Sequence, residues 1–189
     1  MQTAAGPAKT SGMIRLFAAL APPSDVAEGL ARLQAGLPGA RWRPAEALHI
    51  TLAFYGEIRE DVARDLDAEL TGLRGEPLDL ALQGVGAFGE GQEIHAVWAG
   101  VKPNAALSRL AAACGAAARR VGLTMERRAY RPHVTLAYTR RPDPAAVAVW
   151  IQRHNLYRSE PLRMERFGLY SSWRTREGSA YRLEAHYPF

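Results

Sequence analysis

The chain carries one six-residue pattern twice. His49-Ile50-Thr51-Leu52 and His133-Val134-Thr135-Leu136 each read His-aliphatic-Thr-Leu, and each continues into Ala and an aromatic residue, Ala53-Phe54 and Ala137-Tyr138. The side-chain period of a β-strand is two, so His49 and Thr51 share one face while Ile50 and Leu52 share the other. The same parity sets His133 and Thr135 against Val134 and Leu136. Each stretch therefore reads as a strand with one apolar face and one face presenting an imidazole beside a hydroxyl. Two such strands in one chain point to a duplicated site.

The duplication extends beyond the motifs. His49 and His133 are 84 residues apart, as are Glu76-Pro77-Leu78 and Glu160-Pro161-Leu162. Phe17-Ala18 and Trp98-Ala99 are 81 apart, as are Pro22 and Pro103, which requires a three-residue insertion before the second His. A period this long is half a domain rather than a solenoid repeat. Residues 13–21 read as a buried strand ended by Pro22-Pro23, with Ser24 as the N-cap of a helix. Val26, Leu30, Leu33 and Leu37 give that helix its apolar stripe, and Pro38-Gly39 stops it. The first His strand follows, then a helix marked by Val62, Leu66, Leu70 and Leu73, then an extended stretch from Pro77 to Phe88. The second half repeats the order. It has a strand over 94–101, a helix opened by Pro103-Asn104, the second His strand, and a helix with Asp143 as N-cap and Pro144 at N1. Extended chain over 162–171 and a closing strand over 180–187 complete it. These elements predict an α+β chain with pseudo-repeats over about 13–90 and 94–171, forming two similar lobes that face each other across a cleft. The strand-helix order alone also allows parallel pairing.

Length and composition set limits on this reading. At 189 residues the chain holds one substantial core or two small lobes sharing one. No apolar run approaches the roughly 18 residues of a membrane span. Residues 1–12 lack the apolar core of a signal peptide and read as a disordered tail. Cys114 is the single cysteine, which excludes an intrachain disulfide and a cysteine-based metal cluster and suits a reducing cytoplasm, the expected compartment. The formal net charge of +5 suits an anionic partner.

Imidazole titrates nearest neutrality, so a pair can hold one base and one acid together. That pairing fits phosphodiester hydrolysis. One His takes a proton from water while the other gives one to the departing alkoxide, and the hydroxyls of Thr51 and Thr135 donate to non-bridging oxygens. No acidic residue lies at metal-ligand spacing near either His, and neither metal nor cofactor is expected.

The paired motifs, their spacing, the Arg15-Leu16-Phe17-Ala18-Ala19-Leu20 strand and the Arg131-Pro132-His133 lead-in resemble the 2H phosphoesterase superfamily. Within it, Trp42 and the run from Leu48 to Glu57 are similar to the RNA 2′,3′-cyclic phosphodiesterases, also called 2′-5′ RNA ligases. The resemblance covers roughly residues 13–189. It implies a single bilobal domain over 13–189, each lobe an antiparallel sheet with two helices, around a central cleft carrying both His-x-Thr strands. It further implies metal-free opening of a 2′,3′-cyclic phosphate to a 2′-phosphomonoester, with reversible 2′-5′ ligation as the back reaction. By motif match His49 is the proton donor, His133 the proton acceptor, and Thr51 and Thr135 phosphate ligands. The expected partner is RNA with 2′,3′-cyclic phosphate ends, tRNA fragments among the candidates, and the protein is expected to act as a monomer without a membrane. Tyr138 stands where this family often has a basic residue, and Arg131, sharing the parity of His133 and Thr135, is the candidate to compensate.

Other residues read more plainly. His95 reads as a solvated edge residue, and His154 as a helix-terminal cation. Trp42, Tyr55 and Tyr138 read as packing, with stacking on bases as the alternative, and Cys114 as a small core residue. Two further functions compete with the first, a phosphodiesterase for a small cyclic phosphate and an RNA-binding module without catalysis. ATP-dependent ligation through a lysyl-nucleotide is disfavoured, since the lysines are Lys9 in the tail and Lys102 just before Pro103.

Overall fold

A computed structural model describes residues 12–126, 129–175 and 178–189. The expected tail over 1–12 lies outside the described residues except for Gly12, whose carbonyl accepts from Glu60 N at 2.8 Å. In chain order the strands and helices are β1 (Met13–Leu20), α1 (Ser24–Ala31), β2 (Arg41–Trp42), β3 (Ile50–Arg59), α2 (Glu60–Thr71), β4 (Leu78–Leu80) and β5 (Leu82–Phe88). Then come β6 (Ala96–Val101), α3 (Ala105–Arg120), β7 (His133–Tyr138), α4 (Pro144–His154), β8 (Leu162–Met164), β9 (Arg166–Thr175) and β10 (Gly178–Pro188).

All pairings are antiparallel, as the resemblance implies. The main sheet runs β10-β9-β1-β3-β7-β6-β5, with β2 also on β7, and β4 pairs β8 separately. The junction between β3 and β7 is a single pair, Ile50 with Val134. It divides the sheet into β3-β1-β9-β10 on one side and β2-β7-β6-β5 on the other. Each lobe thus takes two strands from each half of the chain. The helices exchange as well. α2 and α3 pack together on β3, while α4 packs on β5 and reaches the chain just after α1, where Trp150 Nε1 donates to Leu33 O at 3.1 Å. The lobes therefore do not follow the pseudo-repeats at 13–90 and 94–171. A repeat records the order of elements, whereas strand exchange is decided by pairing.

Local signals account for most boundaries. Asn104 caps α3 by accepting from Leu107 N at 2.9 Å, and Asp143 caps α4 by accepting from Ala145 N at 2.9 Å, with Pro144 following. Ser24 is not an N-cap; it is already helical, behind Pro23, and α1 has no side-chain cap. The stripe through Leu37 also outruns that helix, which stops at Ala31. Turns with Gly36 at φ +75° and Gly39 at φ +72° carry the chain onward, and Leu33 and Leu37 stay buried without helical backbone. Ile94 is buried ahead of β6 rather than within it. One contiguous core runs through both lobes, with Leu16, Leu20, Ile50, Leu66, Leu107, Leu136, Trp150 and Phe167 almost wholly buried.

Candidate active site

Ile50 and Val134 turn into the core at the lobe junction and are fully buried. Their flanking residues consequently face the other way. His49, Thr51, His133 and Thr135 are thus the residues that flank this pair along the chain. Thr51, His133 and Thr135 line a cavity of about 760 Å³ together with Arg131, Tyr130, Tyr138, Phe88 and His95. His49 does not line it. Its ring sits behind, packed on Phe17 (centroids 4.9 Å apart) and edge-on to Tyr181 (5.1 Å).

The two imidazoles are held alike. His49 Nδ1 lies 2.9 Å from Ala47 O, and His133 Nδ1 lies 2.7 Å from Arg131 O. A carbonyl only accepts, so each Nδ1 carries a proton and donates to the residue two positions earlier, which leaves proton exchange to Nε2. The supports repeat as well. Phe17 on β1 lies under His49, and Trp98 on β6 lies 6.2 Å from His133, which Phe88 also meets edge-on at 4.7 Å. Phe17 and Trp98 are the pair that the 81-residue offset aligns.

Burial pushes the His49 imidazolium down to about 4, with the hydrogen bond to Ala47 opposing this and the charges of Arg43 and His133 adding to it. His49 is therefore neutral at pH 7. Thr51 is fixed through its carbonyl, which accepts from Tyr130 Oη at 3.0 Å.

Arg131 is exposed on the cavity wall, and its carbonyl, not its side chain, serves His133. His95, read from sequence as a solvated edge residue, is exposed but also lines the cavity, its ring stacked 6.3 Å from Phe88. Tyr55 and Trp42 are packing residues, Tyr55 in the core and Trp42 6.1 Å from Trp150, whereas Tyr138 faces the cavity. Cys114 is core, its thiol pushed up to about 12 by burial. Sequence reasoning missed Arg43 and Tyr181. Arg43 directly follows the two-residue β2 and Tyr181 lies on β10, beyond the repeat, and no motif marked either. Among the described residues no group of His, Cys, Asp and Glu is arranged to hold a metal ion, and no helix is long and apolar enough to cross a membrane.

The chain is similar to known proteins along most of its length. The chain is 27% identical over 172 residues to the RNA 2′,3′-cyclic phosphodiesterase of Archaeoglobus fulgidus, covering 89% of this chain and 97% of that protein. It is 31% identical over 126 residues to the protein of that name from Escherichia coli, covering 65% and 70%. A third, from Geobacillus stearothermophilus, is 32% identical over 64% of this chain, a match that spans 40% of that protein. Among solved structures, E. coli LigT complexed with 3′-AMP has a TM-score of 0.75 at 25% identity, covering 94% of this chain and 98% of that one. A protein from Thermus thermophilus shares the fold, with a TM-score of 0.79 at 23% identity over 93% and 97% of the two chains. The sequence profile of the 2′-5′ RNA ligase superfamily matches residues 22–175, most of the chain and both histidine strands, and the protein belongs to that superfamily.

Proposed function

We propose that the protein opens 2′,3′-cyclic phosphate ends of RNA, leaving a 2′-phosphomonoester and a free 3′ hydroxyl. The observation that carries this reading lies at the lobe junction, where two histidines have the same backbone anchor and Thr51, His133 and Thr135 line one cavity, with His49 packed on Phe17 and Tyr181. The names of the relatives from A. fulgidus and E. coli support the same activity. In the reaction a water oxygen attacks phosphorus, the bond to O3′ breaks, and the bond to O2′ is kept. One imidazole takes the water proton while the other donates a proton to O3′. Thr51 and Thr135 donate to the non-bridging oxygens, where charge builds. Because the two imidazoles supply both proton transfers, the step needs no metal. With the 5′ hydroxyl of a second RNA end in place of water, the same two proton transfers form a 2′-5′ phosphodiester as the bond to O3′ breaks.

The family resemblance makes His49 the donor and His133 the acceptor. A neutral His49 fits that role only once substrate is bound. An anionic phosphate beside the ring stabilises the imidazolium, so His49 takes up its proton with the substrate. The monomer suffices, since one chain supplies both histidines, and Arg131 at the cavity wall suits a backbone phosphate of the same RNA.

The cavity volume lies within the range of small-ligand sites, which favours a cyclic mononucleotide as a second reading. Rates on a cyclic-phosphate-ended oligonucleotide and on the matching cyclic mononucleotide separate the two. A higher kcat/KM on the oligonucleotide supports an RNA end as substrate; a clear preference for the mononucleotide contradicts it.

A further inference from the structure

Arg43 is the only charged side chain buried among the described residues, 6% exposed. It follows β2 directly and extends that strand's ladder, its N–H donating to Leu136 O at 2.8 Å. The guanidinium lies 5.7 Å from the Tyr138 ring and 5.2 Å from the Tyr181 ring. Tyr138 belongs to β7 and Tyr181 to β10, so the charge sits between the two lobes, and Tyr181 is also the ring set edge-on to His49. Tyr138 faces the cavity beside Thr135 and His133.

What this cation lacks is an anion. Of its five N–H groups, one has a hydrogen-bond partner among the described residues, Nη2 donating to Ser179 O at 2.9 Å. No Asp or Glu among the described residues pairs with it. Burying an unpaired charge is expensive, and two ring faces and one carbonyl offset only part of the cost. A fold that holds such a group beside its reacting imidazole keeps a charge available for a ligand of opposite sign.

We infer that Arg43 is a resident counter-charge for the phosphate, a positioning residue that an anion entering the cleft completes. The inference rests on the reading of the cleft as a phosphate site. Arg43 stands outside the cavity lining, so it acts by its field and through Tyr138 and Tyr181 rather than as a group that transfers protons. The same field disfavours a charged His49, and a bound anion opposes that disfavour. The titratable groups around the guanidinium are His49, Tyr138 and Tyr181, with His133 beyond them.

The test titrates the full chain and its Arg43→Gln and Arg43→Lys variants with inorganic phosphate, following binding by calorimetry and the His49 ring by NMR. Arg43→Gln is expected to weaken phosphate binding by about tenfold or more, since the anion loses the attraction of one buried charge, and to raise the pH at which His49 titrates when no phosphate is added. Arg43→Lys keeps the charge but not the planar fork, and is expected to lose less than Gln. An Arg43→Gln protein that folds, binds phosphate as wild type does and titrates His49 at the same pH overturns the inference. If that variant does not fold, wild type and Arg43→Lys decide. Failure of phosphate to raise the His49 titration in both overturns it, and a rise in wild type that is smaller in Arg43→Lys supports it. Phosphate binding is read without turnover. A protein that binds phosphate through Arg43 yet leaves cyclic phosphates intact contradicts the proposed function and upholds this inference; the converse contradicts this inference alone.

Discussion

Ile50 and Val134 form the single backbone pair at which the sheets of the two lobes meet. The four residues of the proposed mechanism, His49, Thr51, His133 and Thr135, are its immediate neighbours along the chain. In the proposed mechanism the two imidazoles work as a pair. His49→Ala and His133→Ala are each expected to lower kcat by roughly 10²–10⁴-fold with little change in secondary structure. Steady-state rates beside far-ultraviolet circular dichroism check this. Retention of more than about a tenth of wild-type kcat in either variant is incompatible with paired acid-base catalysis.

The threonines are predicted to act through their hydroxyls. Thr51→Val and Thr135→Val keep the β-branched shape that suits a strand and remove only the donor. Each is expected to cost about 10-fold or more in kcat, by analogy with removal of one oxyanion donor, with the fold intact by thermal melting. Thr→Ser at either position is expected to recover much of the loss. If valine is tolerated at both positions, the hydroxyls are not phosphate ligands.

The depressed titration of His49 has a consequence for stability. The folded value is about 4 and the ordinary value 6.5, so between those pH values the unfolded chain binds more protons than the folded one. Stability then falls as pH drops from about 6.5 towards 4, and this contribution is constant below that window. Urea midpoints at pH 7 and pH 4.5 measure it. The wild type is expected to lose more stability across the interval than His49→Asn; equal losses indicate that His49 titrates normally in the folded chain.

The support beneath His133 is equally specific. A Cβ added at Gly86 would collide with the indole of Trp98, which packs on Phe88 and His133. Gly86→Ala is predicted to destabilise by about 1–3 kcal/mol, as overpacking does, and to lower kcat beyond what the unfolded fraction explains. Chemical denaturation and kinetics on the same preparation separate the two effects. A variant with wild-type stability and rate shows that Trp98 is free to move.

Much of the site was legible because its information is local. Strand parity put His133 and Thr135 on one face, where both line the cavity, but it did not show that His49, just ahead of β3, lies outside that lining while Thr51 is in it; the 81-residue offset matched Phe17 to Trp98, the rings that meet the two histidines. Asn104 and Asp143 announced their helices by side chains that accept from the first turn. Pairing between distant strands leaves no such trace. Nothing in the composition of β5 or β9 says that each lies in the lobe of the other half. Arg43 was hidden for the same reason, since its meaning comes from Tyr138 and Tyr181, 95 and 138 residues further along. The α1 stripe misled because Leu33 and Leu37 are buried through turns that keep helical spacing in sequence but not helical backbone.

The most direct test of the central claim is phosphorus NMR of an oligonucleotide ending in a 2′,3′-cyclic phosphate, incubated with the protein in EDTA. The account predicts conversion to a 2′-phosphomonoester at an undiminished rate, because two imidazoles carry both proton transfers. Loss of turnover in EDTA, or a 3′-phosphomonoester as the product, contradicts it.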